Sequence, residues 1–335
     1  MRYLIAVVLW LFPCFALALE WEDQRIFNET AQGPRLRIIS STDTALFAPL
    51  IEDFILGNPS ISVEYLVTGT ADIDRQIRAT PDAFDIAISS AMDLQLKLAN
   101  DGYALEIDSI ANPDWARWHD SLFAFTSEPA TIVMNRAAFA GGPTPQTRQE
   151  LIETLRARPD DFRGKVGTYD IRQSGLGYLF ATQDARASET YWRLMEVLGG
   201  LDVRLYCCSG DMIDDLADGT IAVAYNVLGS YAAARTEGKD AFEIVLPSDF
   251  QTTMMRTAMV LIETPEPDAA EAFVRQLTAK KTGASTDVPS LPLLATDDSI
   301  DERVTIALDP ALLTFLDKLK RKKFLSEWEN AVIQR

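Results

Sequence analysis

Histidine occurs once in these 335 residues, cysteine three times, and acidic residues outnumber basic ones 49 to 31. Each scarcity excludes something. A single histidine rules out a multi-histidine metal centre. A Ser-His-Asp relay would have to be built on it, and no G-x-S-x-G elbow is present. His119 lies in "PDWARWHDSLF", among aromatics and away from strand ends, where it reads as structural. Neither G-x-x-x-x-G-K-S/T nor G-x-G-x-x-G follows a strand, which argues against a nucleotide enzyme. A net charge of −18 suits neither nucleic acid nor an anionic membrane. It leaves a small anionic ligand open, because local donors can outweigh net charge. Beyond the first twenty residues no segment approaches the roughly 20 apolar residues of a membrane span.

With Cys14 near the N-terminus, only the adjacent pair Cys207 and Cys208 remains, so there is no disulfide framework. Neighbouring Cα atoms lie about 3.8 Å apart across a trans peptide, closer than the roughly 4.4 Å at which disulfides usually begin. The pair therefore reads as two small packing residues after a strand, with a redox or soft-metal switch as the sharper alternative.

What is present begins with a leader. Arg2 supplies a positive start, Tyr3 to Phe15 an apolar run, and Ala16-Leu17-Ala18 a small-residue cleavage site. Residues 1–18 thus read as a secretory signal peptide, and the mature chain is expected in the periplasm. A lipoprotein reading through Cys14 is the weaker alternative, because Phe12 and Pro13 ahead of it are not small. The remaining length suits two lobes.

Along the chain, strands and helices alternate. Leu36 to Ile39 reads as a strand. Leu46/Phe47, Leu50/Ile51 and Phe54/Ile55 repeat every four residues, giving a helix over 44–56 stopped by Gly57-Asn58-Pro59. Val63, Tyr65 and Val67 form a second strand, Phe84 to Ile88 a third, with helices at 73–77 and 93–100. The pattern recurs: a strand at 166–169, helices at 191–198 and 212–216, a strand at 221–225. Such alternation implies parallel pairing with helices on the sheet faces. The expected architecture is α/β with two lobes, each a mostly parallel sheet flanked by helices. The expected division is an N-terminal extension at 19–34, lobe 1 at 35–130 plus 255–285, lobe 2 at 131–254, and a C-terminal helical segment at 286–335. Two extended runs, "ATIVMNR" (130–136) and "MMRTAMVLI" (254–262), are expected to cross between the lobes as a hinge.

In α/β sheets ligands bind beyond the carboxyl ends of strands, where helix N-termini point. Three such loops are rich in hydroxyls or glycine. They hold Ser41, Thr42, Asp43 and Thr44; Ser89 and Ser90; and Arg172, Ser174 and Gly175. One loop alone would be simple helix capping; three across two lobes indicate a shared cleft. Tyr225 and Asn226, placed at the end of the 221–225 strand, join them as candidates, with a buried core tyrosine as the alternative. The basic run of Lys318, Lys320, Arg321, Lys322 and Lys323 reads as the solvated face of the last helix.

Five stretches in order, "ISSTDTALFAPLIEDF", "FDIAISSAMDLQLKLANDGYA", "VGTYDIRQSGLGY", "VAYNVLGSYAAA" and "IVLPSDFQTTMMRTAMVLI", resemble bacterial periplasmic solute-binding proteins of type II, the ABC-type class that includes ferric-ion and phosphosugar binders. They are most similar to the branch of phosphoglycerate transport regulatory proteins. An oxygen-rich organic anion, phosphorylated or carboxylated, fits the loop hydroxyls and Arg172. The resemblance implies two lobes closing on a ligand with no chemistry and no cofactor. It implies a monomer whose partner is an ABC permease or a sensor histidine kinase in the inner membrane. It adds Arg256 as a charge partner for the ligand. Ferric binders carry adjacent tyrosines where this chain has Tyr225-Asn226, and a histidine near the first strand that is missing here. Too few hard donors remain for Fe³⁺. The alternatives are ligand sensing beside a two-component kinase, ferric binding, and an exported hydrolase lacking a visible nucleophile–base pair.

Overall fold

The computed structural model describes residues 21–236, 240–279, 291–294 and 305–334. The leader at 1–18 lies outside the described residues. Among them no helix is long and apolar enough to cross a membrane.

The strands, in chain order, are β1 (Asp23–Phe27), β2 (Arg35–Ser40), β3 (Ser62–Val67), β4 (Ile86–Ser89), β5 (Arg117–Trp118), β6 (Leu122–Ala124), β7 (Glu128–Asn135), β8 (Val166–Tyr169), β9 (Arg204–Tyr206), β10 (Val223–Leu228), β11 (Phe242–Val245), β12 (Thr253–Met254) and β13 (Thr257–Val260). The helices are α1 (Thr44–Gly57), α2 (Thr70–Ala79), α3 (Met92–Asn100), α4 (Arg148–Ala157), α5 (Pro159–Phe162), α6 (Gly175–Ala187), α7 (Thr190–Gly200), α8 (Ser209–Ala217), α9 (Gly229–Thr236), α10 (Pro267–Ala279) and α11 (Lys318–Val332).

Two sheets form, in the orders β1-β3-β2-β4-β13-β6-β5 and β11-β7-β10-β8-β9, with β12 added beside β7. The expected parallel pairing is found where strands and helices alternate: β3, β2 and β4 in one sheet, β10, β8 and β9 in the other. The outer pairs are antiparallel. Central strands are buried on both faces, as "IAIS" of β4 illustrates. Against the first sheet, Phe47 of α1 stacks on Tyr65 at 5.1 Å, and Phe54 meets Phe273 of α10 edge-on. The second core gathers Tyr178, Tyr191, Phe324 and Trp328.

Two expectations need correction. Within the polar segment 19–34, residues 23–27 form β1, an antiparallel edge on β3 with Asp23 opposite Val67. Its outward residues are polar and exposed, so only Ile26 and Phe27 hinted at a strand. The run 130–136 is no free crossing, because β7 pairs with β10, β11 and β12. The chain changes sheets at 125–127 and again at 255–256. There the two passages bond to each other: Phe125 N donates to Arg256 O (3.0 Å), and Arg256 N to Thr126 Oγ1 (2.9 Å). The C-terminal segment, expected to be helical, packs on both lobes. Its 310–316 turn packs on α3 of the first lobe, and α11 packs on α7 of the second.

Candidate functional site

Six parallel strands end at one place. The loop after each of β2, β3, β4, β8, β9 and β10 opens into a helix, respectively α1, α2, α3, α6, α8 and α9. The two sets of loops enclose a cavity of about 40 Å³. From the first lobe come Ser41, Asp43, Thr68, Gly69, Thr70 and Ser90, with Glu22 just ahead of β1. From the second come Ser174, Leu176, Cys207, Cys208, Ser209, Leu228 and Tyr231.

Asp43, Gly69, Ser174 and Cys208 are the N-caps of α1, α2, α6 and α8. Ser90 and Leu228 sit just ahead of α3 and α9. At α1, α2, α3 and α8 the N-cap side chain makes no bond into its own helix. Helix beginnings of this kind present backbone N–H groups and positive dipole ends, which suit anionic oxygen. The start of α6 is served differently. Ser174 Oγ accepts from Gly177 N (3.1 Å), while Gly175 N and Leu176 N donate across the cleft to Thr70 Oγ1 (2.9 and 3.1 Å).

A second set of contacts joins the lobes. Tyr231 donates to Asp43 Oδ1 (2.7 Å), Asp43 N donates back to the Tyr231 hydroxyl (3.1 Å), and Arg235 Nη2 reaches Asp43 Oδ2 (3.0 Å). Arg235 Nε also pairs with Asp214 (3.0 Å). The surroundings are acidic. Burial, followed by the nearby Asp211, Asp43 and Asp72 carboxylates, holds Glu22 above the usual carboxylate range. Burial and then Asp214 and Asp43 raise Asp211 likewise.

Of the residues expected from sequence, Ser41, Asp43, Ser90 and Ser174 line the cavity. Ser41 Oγ accepts from Ser90 N (3.1 Å), tying two first-lobe loops together. Thr42, Thr44 and Ser89 are buried behind this wall. Thr42 Oγ1 accepts from Arg256 Nη1 (2.7 Å), and Ser89 Oγ accepts from Ala91 N (3.1 Å). Gly175 stands where the lobes touch: an added Cβ would come within 2.8 Å of Leu94 Cδ1.

The remaining four lie elsewhere. Arg172 folds back onto Asp170 (2.7 and 2.8 Å) and over the Trp328 ring, so its charge is already paired away from the cavity. Tyr225 and Asn226 are interior to β10, which runs on to Leu228 through a bulge where Asn226 adopts φ 65°. Both side chains bond Asp184 (2.6 and 2.8 Å) in the second core, and Arg148 Nε donates to the Tyr225 hydroxyl (2.7 Å). Arg256, fully buried, pairs with both oxygens of Glu128 at 3.0 Å. It braces the Ser41–Thr44 loop from behind through Thr42.

Sequence reasoning missed Glu22, the Thr68-Gly69-Thr70 loop, Tyr231 and the cysteines. Applying the strand-end rule at every strand-to-helix junction would have found "VTGTAD" and "LYCCSGD". Cys207 and Cys208 are not packing residues: they sit in the loop after β9 and are joined by a disulfide. With Asp211 they place potential ligand atoms within 4.8 Å of one another, but bonded sulfurs offer no thiolate to a metal. His119 is exposed beside Trp118, remote from this group.

The family model for bacterial extracellular solute-binding proteins matches residues 61–314. The structure is similar to the substrate-binding protein of an ABC transporter from Agrobacterium tumefaciens, with 29% identity, a TM-score of 0.85, and coverage of 92% of this chain and 98% of that one. It shares its fold with the periplasmic binding protein AfuA of Actinobacillus pleuropneumoniae, solved with fructose-6-phosphate bound (16% identity, TM-score 0.69, 89% and 98% covered). Iron-bound HitA of Pseudomonas aeruginosa has the same fold (14%, 0.62, 89% and 99%). No curated protein matches the chain in sequence. With a family match over most of its length and a full-length structural counterpart, the chain belongs to the bacterial extracellular solute-binding proteins of ABC transporters, which bind a small solute and deliver it to a membrane permease.

Proposed function

We infer that the solute is a small organic anion carrying phosphate or carboxylate together with hydroxyl groups, taken up from the periplasm. The carrying observation is the convergence of six helix beginnings on one cavity, four of them without a capping side chain of their own. Backbone donors in that arrangement favour an oxyanion even in a chain of net negative charge. Glu22 and Asp43 at the same cavity would repel a second anionic group but accept hydrogen bonds from hydroxyls. A hydroxylated monoanionic end-group arrangement therefore fits better than a bare dicarboxylate. The resemblance to phosphoglycerate transport regulatory proteins agrees with that ligand class, whether the loaded protein meets a permease or a kinase.

A ferric cargo is disfavoured. The Tyr225 phenol is committed to Arg148 and Asp184 inside the second lobe, and Tyr231 donates to Asp43. Thermal-shift screening of sugar phosphates, hydroxy acids, simple dicarboxylates, spermidine and ferric citrate, followed by calorimetry, tests the reading. Hydroxylated anions should bind best. Saturable binding of spermidine with no response to any anion would overturn it.

A further inference from the structure

We propose that the Cys207–Cys208 disulfide is a redox-responsive wall of the solute site, contacting the solute when oxidised and weakening its binding when reduced. This rests on reading the interlobe cavity as that site. Cys207 and Cys208 line the cavity together with Ser174 and Ser209 of their own lobe and with Ser41 and Asp43 of the other. Cys207 is exposed and Cys208 half-buried, so a reductant can reach the bond, and the solute meets it once the lobes admit it. Amid hydroxyls and carboxylates, a disulfide is a polarizable surface with no proton to donate. It suits the carbon skeleton of a ligand whose polar groups are held elsewhere.

The position also governs a helix. Cys208 is the N-cap of α8, and the following Ser209 bonds the Tyr169 hydroxyl of β8 and accepts from Leu228 N of β10 (3.4 Å). The beginning of α8 is therefore fixed to two neighbouring strands through Ser209 and closed by the covalent ring above it. Reduction by a small dithiol breaks the S–S bond and adds two electrons and two protons, giving two S–H groups while the dithiol closes to its own disulfide. Unbonded sulfurs separate to van der Waals distance, and a cavity of about 40 Å³ has little room for that movement. The Cys207 sulfur then meets Asp211 Oδ2, now 3.5 Å away, as a donor. Outside the cytoplasm the oxidised form is the resting one. Asp211 Oδ2 lies 3.5 Å from the Cys207 sulfur, and Glu22 and Asp43 line the same cavity, so an uncharged dithiol should reduce the bond faster than an anionic thiol such as glutathione.

The test has two arms. In the first, folded protein is treated with dithiothreitol and the thiols are alkylated and mapped by mass spectrometry, with hydrogen exchange measured for both redox forms. Labelling of Cys207 and Cys208 without denaturant, with faster exchange over 208–213 and 41–43, supports the proposal. A bond that survives until unfolding, or exchange that does not change, overturns it. In the second, the metabolite screen is repeated on oxidised protein, reduced protein and the Cys207→Ser/Cys208→Ser variant. Any compound that binds should be weakened several-fold in the latter two, and equal affinity in all three overturns the proposal. Silence of every anion in all three forms would instead sink the anion reading, while the first arm still decides whether the wall responds to reduction.

Discussion

At the scale of single residues, the placement of a polar side chain decides whether it serves ligand or fold. Tyr225 has a phenol suited to either, and the structure gives it to the fold, between Arg148 and Asp184. Tyr225→Phe should therefore leave solute affinity unchanged and lower stability by about 1–3 kcal/mol, since buried partners lose a bond. Urea unfolding beside calorimetry separates the two effects. Asp93, at the start of α3, is almost fully buried with Oδ1 unpartnered, and burial raises its pKa to about 7, with Arg321 opposing the shift. The folded state thus holds this proton to higher pH than the unfolded chain does. The stabilising contribution is complete below about pH 4 and is lost as pH climbs towards 7, a slope on the order of a few kcal/mol in total. Asp93→Asn should flatten that slope in urea titrations between pH 4 and 8; an unchanged profile would assign it to another group.

Among elements, the passages between the sheets carry the most concentrated polar design. Arg256, Glu128, Thr42, Thr126 and Ser230 form one buried network linking both passages to the loop before α1 and to α9. Glu128→Gln leaves the Arg256 charge buried without its carboxylate and should destabilise by about 3–5 kcal/mol. A loss below 1 kcal/mol in chemical denaturation would mean water reaches the guanidinium. Elements differed in how legible they were. Helices α1 and α3 and strands β2, β3 and β8 announced themselves through four-residue or two-residue apolar spacing. Edge strand β1, with three exposed polar residues, and three-residue β9 lacked that periodicity. The end of β10 was misplaced by three residues, because its bulge at Asn226 interrupts the pattern. That displacement moved Tyr225 and Asn226 into the candidate site. Hydroxyl-rich loops were visible as sequence; where Arg172 points was not, since Asp170 and Trp328 decide it through tertiary packing.

For the whole molecule, the cavity volume constrains how the protein works. Sites for small organic ligands run to about 300–1,000 Å³, against about 40 Å³ here. A metabolite must therefore be admitted by a wider arrangement of the lobes, turning about the paired passages at 125–127 and 255–256. Small-angle scattering under conditions that break the interlobe contacts, such as Asp43→Asn with Thr70→Val, should show a larger radius than the wild type. Identical profiles would argue that the cavity widens by loop movement alone.

The bonds from Arg235 and Tyr231 to Asp43 have a kinetic meaning as well. They hold together a form too narrow for the solute, so they compete with it. If only a fraction of molecules is open at any moment, the apparent dissociation constant is the intrinsic one divided by that fraction. A latch between the lobes then sets how often the door stands ajar, independently of how well the solute fits inside. Arg235 pairs with Asp43 without lining the cavity, so Arg235→Gln should raise the open fraction. In stopped-flow experiments with the strongest-binding compound of the screen, association should quicken while dissociation stays nearly constant. Slower association would mean that Arg235 attracts the solute more than it restrains the lobes. The latch thus makes arrival rate, and with it the concentration range over which the transporter responds, adjustable by a residue that never touches the cargo.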